Sequence, residues 1–105
     1  MSVTVNKGAL LSQKYKGSTV TNDLVELVGD EMSIQDGKVT MYNGQVLKKD
    51  DKTNIGNFQY ANDGESYYNC NVAITDSKNA RLQINAITAL LDGVTQFETE
   101  DMSLK

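Results

Sequence analysis

The sequence has no histidine, no proline and no tryptophan, and Cys70 is the single cysteine among its 105 residues. Each absence removes a class of chemistry. Without imidazole, the side chain that most often moves protons near neutral pH is missing, and so is the commonest transition-metal ligand. Ser-His and Cys-His nucleophile pairs are excluded within one chain, and a zinc site would have to combine Cys70 with carboxylates. One cysteine forms no intrachain disulfide, which a small domain in an oxidising compartment often uses, so a cytoplasmic setting is expected. No run of about 18 apolar residues occurs, and Met1 to Lys16 lacks a basic start followed by an apolar stretch of signal-peptide length. Neither membrane spanning nor secretion is expected. The glycine-rich phosphate loops GxxxxGK[ST] and GxGxxG are absent as well.

Basic residues are also scarce. The chain carries 10 Lys and Arg against 14 Asp and Glu, a net charge of −4. A firm grip on duplex nucleic acid needs clustered Lys and Arg, so that partner is not expected. The charge is uneven: Lys7, Lys14 and Lys16 meet no acid before Asp23, whereas most of the acids fall after residue 49. Such asymmetry is ordinarily solvated surface.

What is present is a short chain with apolar residues in periodic clusters, of a length suited to one domain and one core. With no proline, glycine supplies the punctuation, as Gly29-Asp30, Asp36-Gly37, Asn43-Gly44, Asp63-Gly64 and Asp92-Gly93. Asp36-Gly37 and Asn43-Gly44 lie between short β-rich runs, the strongest local hairpin signal. They predict a meander of residues 32–35, 38–42 and 45–49, in which Val39 and Met41 share the apolar face and Tyr42 the polar one. A second hairpin is predicted from residues 57–61 and 66–74 around Asn62-Asp63-Gly64-Glu65, with Tyr68, Cys70, Val72 and Ile74 on one face.

Residues 77–91 fit either a strand or a helix, and alanine content, length and caps favour the helix. Arg81, Asn85 and Thr88 then form a polar stripe opposite Ala80, Ile84, Ile87 and Leu91, and only Gln83 breaks the pattern. Asp76 or Ser77 would cap its start and Gly93 its end. Asp23-Leu24-Val25-Glu26 resembles a capping box, which predicts a short helix at about 23–28. A short first strand is expected at residues 3–6 and a last one at 94–98, with a frayed tail beyond. The fold expected is α+β: an antiparallel β-meander of about five strands, one C-terminal helix (about 77–91) on one face and the short N-terminal helix.

Chemistry-bearing clusters are few. Asp30-Glu31, Asp50-Asp51 and Glu98-x-Glu100-Asp101 could supply acid and base or oxygens for a divalent cation, yet each falls in an apparent turn or tail where acids are simply solvated. Cys70 sits on an apolar strand face with acids as its ionisable neighbours, a setting that suits packing rather than reactivity. Phe58, Tyr60, Tyr67 and Tyr68 cluster without any Lys or Arg, so base stacking lacks its electrostatic half. Tyrosine is a frequent interface anchor, which makes Tyr42, Tyr60 and Tyr67 the candidate protein-contact residues. With no catalytic set, no cofactor motif and no metal motif, the expected function is a small non-catalytic protein-binding module. It would be of the accessory or inhibitory kind that phages and mobile elements carry, acting on a protein partner or through self-association. A small-ligand or carboxylate-metal binding protein and a virion or assembly protein are the alternatives.

Overall fold

Runs of alternating apolar and polar residues give each strand an inner and an outer face. The computed structural model of the protein describes residues 3–11, 14–75 and 80–103. Among these lie eight strands, β1 (Thr4–Asn6), β2 (Ala9–Leu11), β3 (Lys14–Lys16), β4 (Thr19–Thr21), β5 (Val25–Gln35), β6 (Lys38–Lys48), β7 (Asn54–Asn62) and β8 (Tyr68–Ile74), followed by one helix, α1 (Ala80–Ser103). All pairings are antiparallel in a single sheet of order β1-β4-β5-β6-β7-β8, with β2 beside β3 and β3 meeting β5 where Tyr15 faces Met32.

β1 and β2 hold one register against β4 and β3, with Thr4 opposite Thr21 and Ala9 opposite Lys16. Each of those short pieces is thus half of a longer strand, interrupted around Gly8 on one side and Gly17-Ser18 on the other. The sheet is an antiparallel meander with α1 packed against one face, the expected α+β class. The described residues hold eight strands rather than about five because four short strands precede β5 and the segment predicted as a short helix is the start of β5 itself.

At residues 23–28 the side chain of Asn22 decides the outcome. Its Oδ1 accepts the backbone N–H of Leu24 at 2.8 Å and of Val25 at 2.9 Å, which closes a tight turn into β5. Val25 and Leu27 then point inward and Glu26 outward, so a two-residue period replaces the helix. Asp36 and Gly37 do form a hairpin turn, with φ of 53° and 78°, the left-handed pair that a two-residue loop needs. Asn43-Gly44 forms none. It lies inside β6, opposite the bulge at Asp30, and Gly44 faces Gly29 where the two backbones come close.

Two bulges also overturn the predicted faces of β6. Ile34 pairs with Val39 but Ser33 pairs with Met41, so Thr40 is an extra residue that reverses the phase. Val39 is inward before it and Tyr42, not Met41, is inward after it. The Tyr42 ring lies over Gly29, where a Cβ would collide with it, and its hydroxyl donates to Ser18 O at 2.7 Å. Phe58 and Phe97 meet it edge to face at centroid distances of 4.8 and 5.7 Å, which makes Tyr42 the centre of the core.

The helix runs further than predicted, through the segment expected to be a last strand and on to Ser103. Its buried face is Leu82, Ala86, Ala89, Leu90, Gly93, Val94 and Phe97, rotated from the expected one. Gly93 is not a cap but the point of closest approach, against Val20. The cap expected at Asp76 or Ser77 lies outside the described residues.

One helix tends both edges of the sheet. Thr75 N–H donates to Ile55 O and Asp63 N–H to Tyr67 O, which fixes the ladder alternation and turns the backbone groups of Val72 away from β7. Gln83 Nε2 donates to Val72 O at 2.6 Å. By the same alternation Val3 faces away from β4, and Gln96 Nε2 donates to Val3 O at 3.0 Å. Gln83, the residue that broke the predicted helical pattern, is polar because it meets an open carbonyl.

Candidate interaction surface

Rotation of α1 sends two large apolar residues to solvent. Its outward stripe is Arg81, Ile84, Thr88, Leu91, Thr95 and Thr99, at steps of three or four. Ile84 is 63% exposed and Leu91 39%. An open groove of about 490 Å³ lies along Arg81, Ile84, Asn85 and Thr88. Leu24, 54% exposed, sits on the turn whose Asn22 side chain donates to Asn85 Oδ1 at 3.0 Å, so the turn and the helix are tied together.

The threonines of the stripe are internally satisfied. Thr88 donates to Ile84 O, Thr95 to Leu91 O and Thr99 to Thr95 O, at 3.1, 3.1 and 2.9 Å. Each hydroxyl proton is used within the helix, which lowers the cost of covering the stripe with an apolar surface.

Of the three tyrosines expected at a contact surface, the structure buries two. Tyr42 is fully enclosed, for the bulge reason given above, and burial drives its phenol well above the usual value. Tyr60 is buried opposite Cys70, with Tyr68 edge to face on it at 5.7 Å. Tyr67 alone is exposed, at 56%, beside an equally open Tyr68 on the β7–β8 hairpin. The three are not brought together.

Asp63 and Glu98 are engaged by backbone N–H groups. Asp63 Oδ1 accepts the N–H groups of Glu65, Ser66 and Tyr67 at 2.8, 2.9 and 3.0 Å, which holds the hairpin loop and pushes its pKa down to about 2. Glu98 Oε2 accepts Val39 N–H at 2.9 Å at the end of β6. Asp36, Asp63 and Glu98 border one open cleft with Lys38, but no three acidic or thiol groups among the described residues converge on a metal-sized point. Cys70 is half-buried, and burial raises its pKa, away from the reactive thiolate. No helix among the described residues is long and apolar enough to cross a membrane.

Comparison with family models, with curated proteins and with solved structures finds no match.

Sequence reasoning placed Ile84 and Leu91 on the apolar side of the helix and Leu24 in a capping box, so none of the three was expected at a contact surface; the structure exposes them. The signal that would have found two of them is the apolar series Leu82, Ala86, Ala89, Leu90, Val94 and Phe97, a longer stripe than the one ending at Leu91. It leaves Ile84 and Leu91 on the far side.

Proposed function

We propose that the protein is a non-catalytic protein-binding module whose contact surface is the solvent face of α1 with the adjoining β4–β5 turn. The observation that carries this is the exposure of Ile84 and Leu91 on a helix whose core face is complete without them. Exposed large apolar residues grouped on one rigid element, rimmed by polar ones, are the usual mark of a contact site. Asp63 and Glu98 are spent on backbone N–H groups and the Cys70 thiol is disfavoured as a nucleophile, which supports the non-catalytic part of the reading. Tyr67 and Tyr68 on the hairpin loop offer a second contact point.

The test is affinity capture from the native host with the wild-type chain and an Ile84→Glu/Leu91→Glu variant. Both positions are exposed, so the variant should melt within a few degrees of wild type while losing the partner by roughly tenfold or more. A partner held equally well by the variant refutes this placement of the site. Any turnover that depends on a single Asp or Glu would refute the non-catalytic part.

A further inference from the structure

The geometry points to a second copy of this chain as the occupant of the α1 face, docked antiparallel about a two-fold axis close to Thr88. This rests on the reading of α1 as a contact surface and adds what covers it.

The charge along the helix is the first argument. The first turn of α1 holds no acid and the last turn no base. Arg81 stands near the start, while Asp92, Glu98 and, in sequence, Glu100 and Asp101 follow toward the end. These charges add to the helix dipole rather than oppose it, since the N-terminus is already the positive end and the C-terminus the negative. A lone helix is disfavoured by that arrangement. An antiparallel twin brings Arg81 of each copy toward Asp92 of the other, so the two copies offset part of what one copy leaves uncompensated.

Spacing is the second argument. Ile84 and Leu91 are seven residues apart, two turns, on the same stripe. An axis near Thr88 places Ile84 of one copy against Leu91 of the other, twice over, with the small Thr88 side chains at the centre where the helices come closest. Arg81 then lies two residues, or about 3 Å along the axis, from the level of Asp92 of the second copy, within reach of a guanidinium. The self-bonded hydroxyls of Thr88 and Thr95 are the third argument, because they need no partner once water is displaced.

Sedimentation velocity on the purified chain, from about 1 µM to about 1 mM at low salt, reads the association directly, and a reversible dimer in that range is expected. Ile84→Glu and Leu91→Glu should each weaken it by roughly tenfold or more. Arg81→Glu should weaken it as well while leaving the fold intact, since an acid near the helix start suits the dipole. Adding Asp92→Arg to Arg81→Glu should restore the dimer, a rescue that only an antiparallel pairing of this face predicts. A monomer at every concentration overturns the self-association, and a host partner captured through Ile84 and Leu91 would then leave the contact-surface reading standing. A dimer indifferent to Ile84→Glu and Leu91→Glu overturns the assignment to α1. Failure of the charge-swapped pair to recover overturns the antiparallel arrangement.

Discussion

Replacing Gly93 by Ala sets two energies against each other with a sign the structure decides. In the middle of a 24-residue helix, Ala should be worth about 1 kcal/mol more than Gly from propensity alone. The added methyl, however, would strike Val20, within 2.8 Å of Cγ1 and closer still to Cγ2. Val20 is fully buried and β-branched, so it has no free rotamer to retreat into. Overpacking of this kind costs about 1–3 kcal/mol, and with both methyls struck the upper part of that range applies. The net loss is then about 1–2 kcal/mol. At about 2 cal/mol/K of unfolding entropy per residue, a 105-residue chain should melt about 5–10 °C lower, as read by calorimetry or by circular dichroism. The control is Val20→Ala, which removes both obstructing methyls. In that background Gly93→Ala should become neutral or stabilising by up to about 1 kcal/mol, a reversal of sign between coupled neighbours. A higher melting point for Gly93→Ala in the wild-type background would refute the close helix–sheet contact.

Other perturbations probe other parts of the fold. Tyr42→Phe keeps the ring and deletes the bond to Ser18 O, which still accepts Gly29 N–H, so about 1 kcal/mol should be lost; Tyr42→Ala, which empties the centre of the core, should cost about 3–5 kcal/mol in denaturant titration. Gln83→Ala and Gln96→Ala each strip one edge carbonyl of its donor. Each should cost about 1 kcal/mol and, being far apart, the two losses should add. Asp63 has a depressed pKa in the folded state, so its contribution is present above the ordinary carboxylate value near 3.8 and is lost as pH falls toward about 2. Protection of the Glu65, Ser66 and Tyr67 amides, taken against the intrinsic exchange rate at each pH, should therefore be lost over that window, and in Asp63→Ala it should be missing above the window as well.

The sheet was legible where side-chain alternation and turn chemistry agreed. Tyr68, Cys70, Val72 and Ile74 do share one face, and Asp36-Gly37 does turn the chain. What escaped was information that no local pattern carries. A bulge is a relation between two strands, so the extra residue at Thr40 that hides Tyr42 and frees Met41 leaves no mark in the sequence around it. Gly44 and Gly93 were read as turn and cap because glycine favours both, whereas here each is small so that a neighbouring backbone or side chain can approach. The capping-box resemblance at Asp23 lost to Asn22, whose side-chain oxygen takes the Leu24 and Val25 amides in a turn. The candidate surface went unseen for a related reason: the inner face of α1 could be assigned only once its full length was known.

The paired glutamines of α1 bear on how the molecule is made. Every strand precedes the helix in the chain, and the helix closes the two margins of the sheet at once. A polypeptide emerging from a ribosome therefore presents both margins unguarded until α1 has appeared, and in that interval each is a template for another nascent chain. The danger lies in the pace of synthesis rather than in the finished molecule, and a truncation that removed α1 would make that brief exposure permanent.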